Sequence, residues 1–207
     1  TRDSIYVPFT RHGKTYTLID TAGVRRKKNV FDTVEKFSII KTLKAIEDAD
    51  CVILVLNAKE DVYDQDLNLI RYIQKAGRSM IIAVNKWDGL GHEEREKFKK
   101  TLTRKIQFLP KVRVHTVSAL HGTGVGDLFD LAEEAYQSAS QDLSASFLTR
   151  VLEQAVMANQ PPLSKGRRIR LKFANAQGQN PLRIVVHGNQ TECLPEHYKK
   201  YLLKVNQ

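Results

Sequence analysis

The chain has 207 residues, 42% of them hydrophobic and 27% charged, with a formal net charge of +10. That length suits one domain of ordinary size and a small second one. No apolar run approaches the ~20 residues of a membrane span, and Thr1-Arg2-Asp3-Ser4 is not a secretory signal, so a soluble chain is expected. The charge is uneven. From Ser144 to Gln207 there are ten Lys/Arg against three Asp/Glu, leaving 23 against 20 for the rest. The last third either meets nucleic acid or another polyanion, or carries a solvated basic face.

In chain order, Ile5–Phe9 and Thr15–Ile19 read as strands around Arg11-His12-Gly13-Lys14, an antiparallel hairpin. The second runs into Asp20-Thr21-Ala22-Gly23 and a basic, aperiodic stretch, Val24-Arg25-Arg26-Lys27-Lys28-Asn29, expected to be a mobile loop. Thr33–Glu47 carries Val34, Phe37, Ile40, Leu43, Ala45 and Ile46 near helical spacing behind Asp32 as a cap. Cys51–Leu56 is a buried strand; Cys51 and the distant Cys193 read as reduced core thiols, which fits a cytoplasmic compartment. Asp61–Ala76 is a helix with Leu67, Ile70 and Ile73 inward and Gly77 just past its end.

Met80-Ile81-Ile82-Ala83-Val84 is a near-continuous apolar run, the pattern of a strand covered on both faces in a parallel sheet. Asn85, Lys86 and Asp88 follow at its carboxyl end, where open α/β sheets bind ligands. A carboxylate there can accept from the N1 and N2 donors of guanine, an Asn can meet the O6/N7 side, and a Lys stem can lie along the base; adenine lacks that donor pair. Glu93–Phe108 is a charged helix with Phe98, Leu102 and Ile106 as its inner stripe. Val112–Val117 alternates into Ser118-Ala119-Leu120, and the glycine-rich run Gly122–Gly126 is a loop opening the helix Asp127–Ala139. Strands alternating with helices define a doubly wound, mostly parallel sheet. A polar joint at Ser138–Asp142 sets a boundary between domains 1–140 and 141–207. Beyond it, a helix Ser146–Asn159, strands Lys165–Phe173 and Pro181–His187 and a helix Pro195–Leu203 make an α+β unit. In Lys165–Phe173 the alternation puts Arg168, Arg170 and Lys172 outward, with Ile169, Leu171 and Phe173 packed beneath.

Three stretches, in this order, resemble the P-loop GTPases. Asp20-Thr21-Ala22-Gly23 is similar to the D-x-x-G element, Asn85-Lys86-Trp87-Asp88 to the base-reading N-K-x-D, and Ser118-Ala119-Leu120 to the third base-side loop, whose backbone N–H meets guanine O6. The resemblance implies GTP or GDP with Mg²⁺. Asp20 would hold the metal through water, the Gly23 N–H would approach the γ-phosphate as the other catalytic element, and Thr21 and Ala22 would line the same loop. Thr1-Arg2-Asp3 resembles the end of switch I, making Thr1 a second metal candidate unless a neighbouring Thr outside the sequence does that work. Val24 stands where many relatives carry a water-orienting Gln; this is similar to a hydrophobic-substituted branch, some of whose members use potassium (K⁺) for charge stabilisation.

The α-β-β-α order of the last third, with Pro161-Pro162-Leu163-Ser164-Lys165-Gly166-Arg167-Arg168, Gly178-Gln179-Asn180-Pro181 and Ile184–Gln190, resembles the KH-like domain of the bacterial EngA/Der GTPase family. That resemblance implies two tandem GTPase domains before a KH-like domain, and a role in assembly of the large ribosomal subunit. The implied partners are that subunit with its rRNA, and a first GTPase domain as intramolecular neighbour, without a membrane. The sequence contains no G-x-x-x-x-G-K-[ST] and no G-x-x-G clamp, and its last part stops before the family's third KH-like strand. The expectation is therefore a second GTPase domain lacking its first strand and phosphate loop, inactive alone. The alternative is a non-catalytic RNA- or protein-binding module on a degenerate GTPase fold.

Overall fold

The structure is a computed structural model that describes residues 5–21, 33–109, 112–139, 142–164, 166–178 and 181–205, with only the backbone for 33–39. They fall into two compact units, one drawn from 1–106 and 112–135, the other from 107–111 and 136–207. Thr1, Ala22, Gly23, the stretch 24–29 and Asp32 lie outside the described residues.

The first unit opens on strands β1 (Ile5–Arg11) and β2 (Lys14–Asp20), paired antiparallel from Ile5 opposite Asp20 to Arg11 opposite Lys14. His12 and Gly13 between them both have positive φ, 50° and 76°. That is the backbone of a primed two-residue turn, whose twist matches that of the strands. Helix α1 (Thr33–Asp48), strand β3 (Cys51–Asn57), helix α2 (Asp64–Lys75), strand β4 (Ser79–Asn85), helix α3 (His92–Ile106), strand β5 (Arg113–Thr116) and helix α4 (Asp127–Ala139) follow. Strands β3, β4 and β5 form a parallel sheet with β4 in the middle; Asn57 stands beside Asn85 and Val84 beside Thr116. The central position explains the unbroken apolar run of β4: Ile81, Ile82, Ala83 and Val84 are all fully buried. Burying each of the larger ones contributes about 1.5–3 kcal/mol.

Helix α2 buries Leu67, Ile70 and Ile73 and stops where Gly77, at φ 70°, turns left-handed and donates to the Gln74 carbonyl at 3.0 Å. In α1 the buried stripe is Thr42, Ala45 and Ile46, while Ile40, expected on it, is exposed. Those three positions are spaced three and four apart, and Ile40 falls off that line. The hairpin is a sheet of its own, held to α4 by aromatic packing. Phe9 stacks on Tyr16 at 5.4 Å between centroids, and both meet Phe129 edge-on at 5.5 and 6.1 Å.

In the second unit, helix α5 (Ala145–Ala158) begins at Ser144, whose hydroxyl accepts from the Phe147 N–H at 3.3 Å. Strands β6 (Leu163–Ser164) and β7 (Arg167–Arg168) make a short ladder, β8 (Arg170–Gln177) and β9 (Arg183–Asn189) a longer antiparallel one, and helix α6 (Glu196–Val205) closes the unit. Leu148, Leu152, Ala155, Ile169, Ala174, Leu194, Tyr198 and Leu202 form its core. Thr149 pins α5 to β8, its hydroxyl accepting from the Ala174 N–H at 3.2 Å and donating to the Ala174 carbonyl at 3.3 Å.

Two expectations for this unit are corrected. The register skips Lys172, a β-bulge, so the alternation of β8 shifts by one: Leu171 and Ala174 face the core, and Phe173 faces out, 46% exposed. Gly188 permits the bulge, since a Cβ there would lie 2.0 Å from the Arg170 carbonyl oxygen. Cys193 is exposed, not a core thiol, and both cysteines are free.

Candidate functional site

The carboxyl end of β4 is built by a change of backbone direction. Lys86 sits at φ 64°, ψ 30°, a left-handed conformation that costs a non-glycine residue about 1–3 kcal/mol and is retained where the surroundings fix it. Here they do. The turn Trp87–Gly89 follows at once, and Gly89 donates to the Lys86 carbonyl at 3.2 Å. Arg95 of α3 donates to the Trp87 carbonyl at 3.2 Å and lies 5.7 Å from its ring, and Phe98 meets that ring edge-on at 6.3 Å.

The loop after β5 is joined to this turn by hydrogen bonds. Val117 donates to the Val84 carbonyl at 2.9 Å and Trp87 to the Val117 carbonyl at 3.3 Å. The Asn85 side-chain oxygen accepts from the Lys86 N–H at 2.7 Å and from the Ala119 N–H at 3.0 Å. With that oxygen twice engaged, the amide NH₂ is the donor Asn85 offers to a ligand. The buried Ser118 donates its own N–H to the Thr123 carbonyl at 2.9 Å, and its hydroxyl accepts from the His121 N–H at 3.3 Å.

Asp88 faces the same space. The Ser118 hydroxyl hydrogen-bonds its carboxyl and holds it below the usual carboxylate range, with its own backbone N–H, His121 and Lys59 acting in the same direction against partial desolvation. His121 Nε2 lies 3.7 Å from Asp88 Oδ2. The site thus presents a carboxylate acceptor and an amide donor, the latter oriented by the adjoining loop, the complement of guanine's N1/N2 donors and its N7/O6 edge. Leu120 projects beside it, 84% exposed.

The glycine-rich run supports this loop. Gly124, at φ 72°, approaches β5 so closely that a Cβ would lie 2.7 Å from the Thr116 carbonyl oxygen, and its own carbonyl is 3.1 Å from His115 Nε2. His121 and Lys59 escaped the sequence reading because neither belongs to a motif. Lys59 comes from the loop after β3, and its side chain lies where a Cβ on Gly89 would be. The phosphate side is less represented: Asp20 is exposed at the end of β2 with Thr21 next to it, while Thr1, Ala22 and Gly23 lie outside the described residues. No group of three or more His, Cys, Asp or Glu able to hold a metal ion occurs among the described residues. A single exposed carboxylate fits Mg²⁺ only if most ligands are nucleotide oxygens and water.

Comparison with known proteins agrees with the geometry. Residues 1–138 match the family described as the elongation factor Tu GTP-binding domain, and residues 143–205 match the KH-domain-like C-terminal region of EngA bacterial GTPase enzymes. The chain is 55% identical over 203 residues to GTPase Der of Tolumonas auensis, covering 98% of this chain and 41% of that protein, so it spans less than half the length of such relatives. Among solved structures, Aquifex aeolicus Era bound to GDP and aluminium fluoride superposes with TM-score 0.56 at 14% identity, over 99% of this chain and 75% of that one. A second Era structure, in complex with MgGDPNP and nucleotides 1506–1542 of 16S ribosomal RNA, gives TM-score 0.54 at 15% identity, over 100% of this chain and 74% of that one. The superpositions and the two family matches together give the fold: a GTPase-like parallel α/β sheet followed by a KH-like domain. The chain belongs to the P-loop GTPase family and, within it, to the EngA/Der group of bacterial GTPases.

Proposed function

We propose that the first unit reads the guanine base of GTP or GDP, that the second binds RNA, and that the whole protein hydrolyses GTP while acting in assembly of the large ribosomal subunit. The division between the two functions falls at 140/141. The observation that carries the base reading is the coupling of Asn85 to Ala119 beside an Asp88 carboxyl held ionised by Ser118. In this reading Asp88 accepts from guanine N1 and N2, the Asn85 NH₂ donates to the N7/O6 edge, the Ala119 N–H holds the Asn85 amide in that orientation, and the stem of Lys86 covers one face of the ring. Ser118 and Leu120 shape the rim.

Asp20, with Thr1, is assigned to Mg²⁺, and the Gly23 N–H to the γ-phosphate, with Thr21 and Ala22 spacing the two. When bound, Mg²⁺ supplies charge neutralisation of the phosphates. Val24 offers no hydrogen bond to water, so K⁺ or a partner supplies the remaining stabilisation of the reaction. The relatives' name, GTPase Der, supports the hydrolytic activity. The basic second unit supports an rRNA partner, and a preceding GTPase domain is assigned as an intramolecular neighbour. The test is Asp88→Asn. An amide presents a donor to the carbonyl at xanthine C2 where the carboxylate accepted from the guanine amine, so preference should move from guanine towards xanthine nucleotides in competition titrations. Unchanged guanine preference removes Asp88 from the base site.

A further inference from the structure

The shift of register at Lys172 gives the β8–β9 ladder an outer face that the alternating sequence does not suggest. Opposite each other on it stand Arg170 and Asn189, then Phe173 and His187. Phe173 and His187 stack with centroids 4.4 Å apart and planes 13° from parallel, and His187 Nε2 is fixed 2.7 Å from the Asn175 side-chain oxygen. The result is an exposed two-ring stack, each ring covering one face of the other, on a strand ladder that has no acidic residue in either strand. At the end of the ladder an open cavity of about 430 Å³ is lined by Arg167, Arg168, Arg170, Asn189 and Gln190. Among the described residues no carboxylate pairs with any of those three arginines, and the Gln190 side-chain oxygen is buried without a hydrogen-bond partner.

We propose that this outer face binds single-stranded nucleic acid, one base extending the Phe173–His187 stack on the open face of Phe173 and a neighbouring phosphate in the arginine-lined cavity. It rests on the RNA reading of the second unit and adds to it the face and the chemistry of contact, in a chain without the G-x-x-G backbone clamp. Asn189 and His187 are two residues apart on one strand, about 7 Å, roughly twice the 3.4 Å rise per nucleotide of a stacked duplex strand. That spacing suits an unstacked strand. Aromatic faces accept any base, and guanidinium groups grip phosphate bidentately, so the expected binding is sequence-tolerant and salt-dependent. An acidic protein would satisfy the arginines but has no use for an exposed ring stack.

The test is fluorescence anisotropy of the full chain with a short labelled single-stranded RNA at two salt concentrations, with its duplex form alongside. Phe173→Ala should weaken single-strand binding roughly 5- to 150-fold, the range of one lost base stack, at unchanged salt slope. Phe173→Tyr should restore it. The duplex, whose bases are already stacked, should not respond to Phe173. Replacing Arg168 and Arg170 together by Gln should lower the salt slope by about 0.7, the value for one phosphate contact of a single strand. Because Phe173 is exposed, Phe173→Ala should melt at the parent temperature. RNA binding that is indifferent to Phe173 overturns the stacking site and leaves the RNA reading standing. No RNA binding by the parent chain overturns both. Displacement of the RNA by polyglutamate as readily as by unlabelled RNA overturns the site in favour of an acidic protein partner.

Discussion

The side-chain oxygen of Asn85 accepts from the backbone N–H of Ala119 at 3.0 Å, a side-chain hydrogen bond added to the backbone ones that join the carboxyl ends of two neighbouring parallel strands. Asn85 therefore has two separable jobs. Its oxygen ties the loops, and its NH₂ is free for a base. Asn85→Asp keeps the acceptor and loses the donor, so it should fold and melt like the parent while guanine-nucleotide affinity falls about tenfold or more, the scale of a buried polar group left unpaired. Asn85→Ala loses both and should also destabilise by about 1–2 kcal/mol, the cost of leaving the loop N–H groups unpartnered. Thermal melts beside nucleotide titrations separate the two.

Ser118 should set the acid limit of base binding. Its hydroxyl is the largest influence holding the Asp88 carboxyl below the usual carboxylate range. A carboxylate so stabilised is lost only as pH falls through that depressed value, and protonation then puts a hydrogen on an oxygen that the proposed base site needs as an acceptor. Guanine affinity should be flat at neutral pH and decline on the acid side. In Ser118→Ala the decline should begin at higher pH. A pH series of titrations checks it; coincident curves for the two proteins would separate Ser118 from Asp88.

Gly188 should be the residue on which the bulge of β8 depends. A methyl group there meets the Arg170 carbonyl oxygen and forces the strands apart. Gly188→Ala should cost about 1–3 kcal/mol, the usual range for overpacking, and should affect the second unit in particular. Hydrogen exchange of the β8 amides would localise the effect.

The cysteines should differ sharply in reactivity. Burial, with Asp50 adding, pushes the Cys51 thiol up to about 11, whereas Cys193 is exposed. The thiolate is the nucleophile, so an alkylating reagent near neutral pH should label Cys193 in the folded chain and Cys51 only after denaturation. Peptide mapping of the labelled chain gives the answer.

Much of this was legible in the residues because the signals are local. The unbroken apolar run of β4 marks a strand covered on both faces, Gly77 ends α2, and the polar residues after β4 and β5 sit where parallel sheets place ligands. What stayed hidden depends on partners distant in sequence. The bulge at Lys172 is licensed by Gly188 on another strand, and it alone moves Phe173 from the core side to the outer face. His121 and Lys59 converge on Asp88 from loops that only the sheet brings together. Ile40 looked apolar enough for the stripe of α1, yet Thr42 takes the buried position because it aligns with Ala45 and Ile46.

The most direct measurement is an NMR titration of the ¹⁵N-labelled chain with guanosine and adenosine monophosphates. Guanosine monophosphate should shift the backbone amides of Lys86, Asp88 and Ala119 and the side-chain NH₂ of Asn85 along one saturable curve, and adenosine monophosphate at the same concentrations should leave them in place. Equal shifts from both nucleotides, or guanine-dependent shifts that avoid Asn85, Asp88 and Ala119, would contradict the base-reading assignment.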